Sequence, residues 1–245
     1  MPPKTKQSKA SEFMKVTGCT DRALSEKILS TYKQNMNDAV EYYYDKYADQ
    51  TPASRVSPAD VEPQFDLYDE GNDRIEEQGI TKFFGDANVD MEDVIVFIFS
   101  YEAKAAAMGV FTKEEWVRGM CALGVATAKE FGQNVKQIRD GYKLKTPAYN
   151  EFFKWVFLFY AGTKKSISGA EAGFLISLIA GGYPLAAQLS TYLQNNTEAK
   201  SDSIFKDTWN MMHLLLKNTD KDGTGYSDQD AWPLLIVNFM ESVKK

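Results

Sequence analysis

Residues 206–239 read KDTWNMMHLLLKNTDKDGTGYSDQDAWPLLIVNF. Trp209, Met212 and Leu216 recur at helical spacing in the first part, and a second helix opens at Trp232-Pro233. Between them lies a turn crowded with acids. As a bare pattern, DKDGTGYSD has the outline of a calcium loop. An EF-hand loop needs oxygen ligands at positions 1, 3, 5 and 9, Gly at 6 and a bidentate Glu at 12. With Asp220 at position 1, Asp222, Thr224, Gly225 and Asp228 fill positions 3, 5, 6 and 9, but position 8 is Ser227 and position 12 is Ala231. Losing the bidentate Glu removes two of roughly seven ligands and one charge. The expectation is a helix–loop–helix frame whose ion site has decayed, with no metal and no other cofactor.

Two more stretches keep the frame without the ligands. In KAAAMGVFTKEE (104–115), Gly109, Phe111 and Glu115 stand at 6, 8 and 12, while Lys104, Ala106 and Met108 stand at 1, 3 and 5. In YDEGNDRIEEQG (68–79), Ile75 fits position 8, but Asp73 and Gly79 occupy 6 and 12.

The chain has 245 residues, 44% apolar and 13% aromatic, enough for one full domain and a small module. A net charge of −6 without a long basic run argues against nucleic acid or an anionic membrane as partner. A charged partner should be basic. Two distant cysteines, Cys19 and Cys121, exclude a disulfide framework or a zinc ribbon, and the single His213 excludes His-based triads. The apolar run Val94–Phe99 is too short to span a bilayer, and the polar N-terminus lacks a secretory core. A soluble protein of the cytoplasm or nucleus is expected.

Residues 1–8 read as disordered. Residues 9–47 read as three short helices: one around Phe13, Met14 and Val16, one capped by Asp21, and one from Asn37 with Val40, Tyr43, Tyr44 and Tyr47 on a stripe. Residues 48–62, with two prolines and no periodicity, read as a linker. From 63 to 245 the signals are helical throughout. Thr112/Glu115, Thr127/Glu130 and Ser168/Glu171 form capping boxes, and Thr146-Pro147 opens another helix. Val94, Phe97, Ile98 and Tyr101 make one apolar stripe; Phe152, Trp155 and Phe159 make a second; Phe205, Trp209, Met212 and Leu216 make a third. No sustained period-2 alternation occurs. The expected fold class is all-α.

With its flanks, the opening stretch takes on a second meaning. KDTWN and AWPLLI, together with VDMEDVIVFIFSYEAKAAAMGVFTKEEWVRGM (89–120) and the small module 9–47, resemble the DCN1-like family, named for defective cullin neddylation. The resemblance implies a small three-helix UBA-like bundle followed by a DCUN1 domain of EF-hand-like helix pairs. It also implies a scaffold-type E3 component, not an enzyme. Such proteins hold the charged NEDD8-conjugating E2 enzyme beside a cullin and speed transfer of NEDD8, without a catalytic cysteine. Cys121 follows Trp116 and Met120 on an apolar helix and reads as core; Cys19 reads as inert.

The resemblance further implies three surfaces. An acidic patch in the C-terminal segment docks a basic face of the cullin winged-helix domain, using Asp207 and Ala231. A further acid is expected six residues after that Ala, where this chain has Val237 and then Asn238; Asp228, Asp230 and Glu241 are the candidates to compensate. An apolar pocket takes the acetylated N-terminal Met of the conjugating enzyme, with Ile80, Val96, Phe99, Ser100, Met108, Phe111 and Phe159 as its lining, or the same residues are ordinary core. In the small module, Val16, Thr17, Gly18, Tyr43 and Tyr44 are the candidate face for ubiquitin or NEDD8, with core packing the other reading of the tyrosines. Two functions from other classes stay open: a degenerate EF-hand calcium-binding protein, and a ubiquitin-binding adaptor without cullin activity.

Overall fold

The computed structural model describes residues 9–17, 19, 22–47, 56–144 and 146–244, which fall into two units divided between Ser57 and Pro58. The first unit contains α1 (Lys9–Thr17), α2 (Arg22–Thr31) and α3 (Met36–Tyr47). Its core gathers Phe13, Cys19, Ile28, Leu29, Ala39 and Tyr43. Tyr43 meets Phe13 edge to face at 5.6 Å, a favoured geometry for two rings. The expected cap Asp21 and residues 1–8 lie outside the described residues, as do 48–55.

The second unit begins inside the stretch expected as linker. Residues 58–62 are not linker: they start α4 (Pro58–Phe65), which buries Val61 and Phe65. Pro58 is tolerated there because the first helical N–H has no partner to lose. Nine helices follow among the described residues: α5 (Glu77–Asp86), α6 (Val94–Ala103), α7 (Lys113–Leu123), α8 (Ala128–Gly141), α9 (Pro147–Ala161), α10 (Gly169–Ile179), α11 (Ala186–Asn195), α12 (Lys206–Asn218) and α13 (Leu234–Val243). The chain is mostly helical, but four short strands qualify the all-α reading. β1 (Arg74–Ile75) pairs antiparallel with β2 (Phe111–Thr112), and β3 (Ser166–Ser168) with β4 (Ser203–Phe205). Two or three residues are too few to display a period of two.

The first ladder links the loops at 68–79 and 104–115. Ile75 faces Phe111, and each stands at position 8 of its frame. Ile167 faces Ile204 in a second pairing that the sequence did not announce. The loops are closed by carboxylates that accept backbone amides. Glu115, at position 12, accepts from Ala106 N–H at position 3 (2.8 Å) and from Thr112 N–H (2.9 Å). In the partner loop the polarity is reversed: Glu70, at position 3, accepts from Gly79 N–H at position 12 (2.9 Å). A Cβ at Gly79 would lie 2.1 Å from the Tyr68 carbonyl oxygen, so the place of the bidentate Glu admits no side chain.

Helix starts follow the local chemistry. Thr112/Glu115 and Ser168/Glu171 are closed capping boxes, and Thr146 caps α9 with Pro147 at its first position. At Thr127 only half of the box forms: its hydroxyl accepts from Glu130 N–H, while the Glu130 carboxylate reaches Ala126 N–H instead. Packing centres on two aromatic clusters. Phe83, Phe99, Phe111, Trp116 and Phe131 interlock from α5, α6, β2, α7 and α8, with Phe83 and Trp116 centroids 4.4 Å apart. Trp209 and His213 of α12 both stack on Phe153 of α9, and Trp209 Nε1 donates to the Phe153 carbonyl (2.9 Å). The expected stripe from Phe205 is shorter than foreseen, because Phe205 ends β4 and stays 52% exposed. Among the described residues no helix is long and apolar enough to cross a membrane.

The loop closure at Glu115 carries a stability consequence. Glu115→Ala removes a carboxylate holding two amides and lowers the unfolding free energy by about 1–3 kcal/mol. Urea denaturation should register this as a lower midpoint at unchanged slope.

Candidate functional site

The site is built from α12, the acidic turn and α13. The buried face of α12 carries Trp209, Met212, His213, Leu215 and Leu216, which turns Asp207 outward in the first turn. A carboxylate there is favoured by the helix dipole. The turn that follows is held by its own backbone: Asp220 N–H donates to Thr224 O (2.9 Å) and Gly223 N–H to Asp220 O (2.9 Å). Thr224 N–H donates to Asp222 Oδ1 (3.0 Å), which keeps the Asp222 carboxyl below its ordinary value. Gly225 is at φ +98°, and a Cβ there would lie 2.1 Å from Asn218 O, so this bend requires glycine. Trp232 closes the far side, its Nε1 donating to Ser227 O (3.0 Å).

Some acids of the turn are engaged by the chain itself. Asp228, the ligand expected at position 9, is paired with Lys244 (3.1 Å), whose ammonium also sits over the Tyr226 ring. Unlike the two paired frames, the turn carries no ladder. Among the described residues no group of three or more His, Cys, Asp or Glu side chains is arranged to hold a metal ion.

Of the sequence-predicted acids, Asp228, Asp230 and Glu241 come together around Tyr226. Its phenol is pushed up by burial first and then by Asp228, with Glu241 and Asp230 adding and Lys244 opposing. Asp207 and Ala231 are both exposed. Asp207 stands near the opposite end of α12 from the turn, about 16 Å along the axis from Asn218. Val237 is half-buried and Asn238 is exposed. Two acids that sequence reasoning missed lie close by. Glu198 and Asp202 flank the short 3-10 turn Ala199–Ser201 and line a groove of about 430 Å³ with Tyr192, Leu234 and Asn238. Their signal was weak, because a connecting segment carries no periodicity. A second depression of about 310 Å³ lies between α9 and α12, lined in part by Asn150, Lys154, Asn210, His213 and Lys217.

The residues proposed to take an acetylated Met divide into two groups. Ile80, Phe99 and Phe111 are buried, the last two in the first aromatic cluster with their rings 5.0 Å apart. Ser100 is buried and its hydroxyl donates to Val96 O (2.9 Å) on the same helix. Val96 and Phe159 are half-buried, and Met108 is 49% exposed in the loop. Phe159 stacks on Trp155 and meets Phe97 edge-on. Phe97 and Phe99 stand about 200° apart around α6.

In the first unit, two of the three described side chains of the candidate ubiquitin face are turned inward. Thr17 is buried, its hydroxyl donating to Phe13 O (2.7 Å) and accepting from Cys19 N–H. Tyr43 is core, packed on Phe13. Val16 is 52% exposed. Gly18 and the Tyr44 side chain lie outside the described residues. The thiol of Cys121, expected in the core, is half-buried.

Comparison with known proteins decides the relationship. The family model described as Cullin binding matches residues 130–242, a span holding α12, the acidic turn and α13. Over that span, a little under half of its length, the chain is similar to cullin-binding proteins. It is similar to Defective in cullin neddylation protein 1 of Caenorhabditis elegans, 24% identical over 96% of this chain and 88% of that one. It is also similar to human DCN1-like protein 4, 24% identical over 86% and 72%, and to human DCN1-like protein 5, 25% identical over 67% and 68%. The acidic residues of α12, the turn and α13 all fall within the matched span.

His213, the one imidazole of the chain, makes α12 sensitive to acid. Burial first, then Lys217 and Lys154, pulls its pKa down to about 4. The unfolded chain therefore binds more protons between about pH 6.5 and 4, so this contribution is complete above 6.5 and is lost as pH falls toward 4. The loss amounts to about 2–3 kcal/mol. Urea titrations of wild type and His213→Phe at pH 7, 6 and 5 should show a steeper decline in the wild type.

Proposed function

We propose that this protein is a non-catalytic scaffold of cullin neddylation. Its helical unit docks the winged-helix domain of a cullin and holds the NEDD8-conjugating enzyme beside it. The observation that carries this reading is the Cullin binding match over residues 130–242, which contains the acidic surface of α12, the turn and α13. The relatives named for cullin neddylation support it. An acidic, largely unpaired surface suits a basic partner and steers it electrostatically.

The rate gain then comes from proximity and orientation. The cysteines support a scaffold over a thioester enzyme. Cys19 is buried, and the half-buried Cys121 thiol is pushed up by burial and by Asp60. A thioester-forming nucleophile needs the opposite shift, toward the thiolate. Capture of the conjugating enzyme's acetylated Met is proposed for the half-buried and exposed side chains Val96, Met108 and Phe159, while Ile80, Phe99, Ser100 and Phe111 are buried. Burying a Met side chain there contributes about 2–3 kcal/mol.

A reconstituted assay measures the proposal directly. Adding this protein should accelerate NEDD8 transfer to a cullin, and Asp207→Lys should weaken cullin affinity by about tenfold or more. Unchanged transfer in its presence would overturn the reading. For the pocket, an acetylated N-terminal peptide of the conjugating enzyme should bind at least about tenfold tighter than the free-amine peptide. Equal affinities would remove the pocket from the mechanism.

A further inference from the structure

Val237 puts a half-buried apolar side chain where the family resemblance expects an acid, and the following Asn238 is neutral. The adjoining groove supplies charge from a different segment of the chain. Its walls are Tyr192 of α11, Glu198 and Asp202 on either side of the 3-10 turn, and Leu234, Leu235 and Asn238 of α13. We infer that Glu198 and Asp202 are the counter-charges that replace the missing acid, so that the basic face of the cullin seats in this groove. The inference rests on the cullin-docking reading above and names further residues of the same surface.

Three observations carry it beyond a cluster of acids. Leu234, in the groove, is 73% exposed, the highest value for a large apolar side chain among the described residues. An apolar side chain held in water beside carboxylates fits a partner that is both basic and apolar. Glu198 and Asp202 are exposed, and among the described residues neither forms an ion pair. Asp202 Oδ1 accepts from Ser203 N–H (2.8 Å), which orients the carboxylate without neutralising it.

The groove is also continuous with the acids already described. The phenol of Tyr192 is pushed up by burial and then by the charges of Glu198 and Glu241, so both carboxylates approach one ring. Glu241 in turn acts on Tyr226 together with Asp228 and Asp230. The band therefore runs from Asp202 through Glu198 and Glu241 to Asp228. Over residues 198–202 and 226–244 it holds five carboxylates (Glu198, Asp202, Asp228, Asp230, Glu241) against two lysines, Lys200 and Lys244. A single basic surface can span it.

The test is a calorimetric titration of the full chain with a purified cullin winged-helix domain at two salt concentrations. Wild type, Asp207→Lys, Glu198→Lys/Asp202→Lys, Glu198→Gln/Asp202→Asn and Val237→Asp are compared. The double reversal should weaken binding about tenfold or more and flatten its salt dependence, and the neutral pair should weaken it several-fold. Val237→Asp should tighten wild-type binding and restore part of the affinity of the neutral pair. Both acids are exposed, so melting temperatures should stay at the wild-type value; a fall in the reversed variant leaves the neutral pair to decide. If Asp207→Lys weakens binding while both double variants stay within about twofold of wild type, docking stands and this inference is overturned. If the wild type binds no cullin, the docking reading itself fails and the inference falls with it.

Discussion

A carboxylate that accepts a backbone amide across a loop is the contact on which the helical unit depends. Glu115 ties position 12 of its frame to position 3, and Glu70 ties position 3 of the neighbouring frame to position 12. In a calcium-loaded loop, the cation would gather the same span of chain through oxygen ligands. Here the gathering is done by charge-assisted hydrogen bonds, which need no ion. The closed loops bring Ile75 against Phe111, and the ladder sets Phe111 on Phe99 and Trp116. Loop closure, strand pairing and aromatic packing are thus consecutive steps of one arrangement.

The C-terminal turn shares the ligand pattern but is held differently. Among the described residues it pairs with no other loop through a strand ladder, and it is fastened by Gly225, by the Trp232 bond to Ser227 and by the pairing of Asp228 with Lys244. That leaves Asp230, Glu241 and the acids of the adjoining groove facing water. Excess negative charge on one face costs self-repulsion. The docking proposed above would offset it with a basic partner.

Legibility followed the range of the interactions. Thr112/Glu115, Ser168/Glu171 and Thr146-Pro147 could be read because caps are local. Trp209, Met212 and Leu216 could be read because a buried helix face repeats every three to four residues. Pro58 misled, since a residue that breaks a helix interior also opens a helix. The ladders were too short for any pattern. Ile167 opposite Ile204 became visible only once the chain was folded. The candidate site divides in the same way: Asp207, Ala231 and the turn lie in the contiguous stretches KDTWN and AWPLLI and between them. The groove assembles Tyr192, Glu198, Asp202 and Leu234 from segments that only tertiary packing brings together. Tyr43 shows the converse: its sequence left it open between a binding face and the core, and Phe13 opposite it makes it core.

Burying the only imidazole has a consequence for the surface as well as for stability. With His213 pulled down to about 4, and the tyrosines Tyr192 and Tyr226 pushed up, neither the histidine nor these phenols changes charge between about pH 6 and 8. These three groups therefore add no change of charge beside the acidic face across that range. Attachment of the basic partner proposed above should then follow ionic strength and not the titration of this histidine or these phenols.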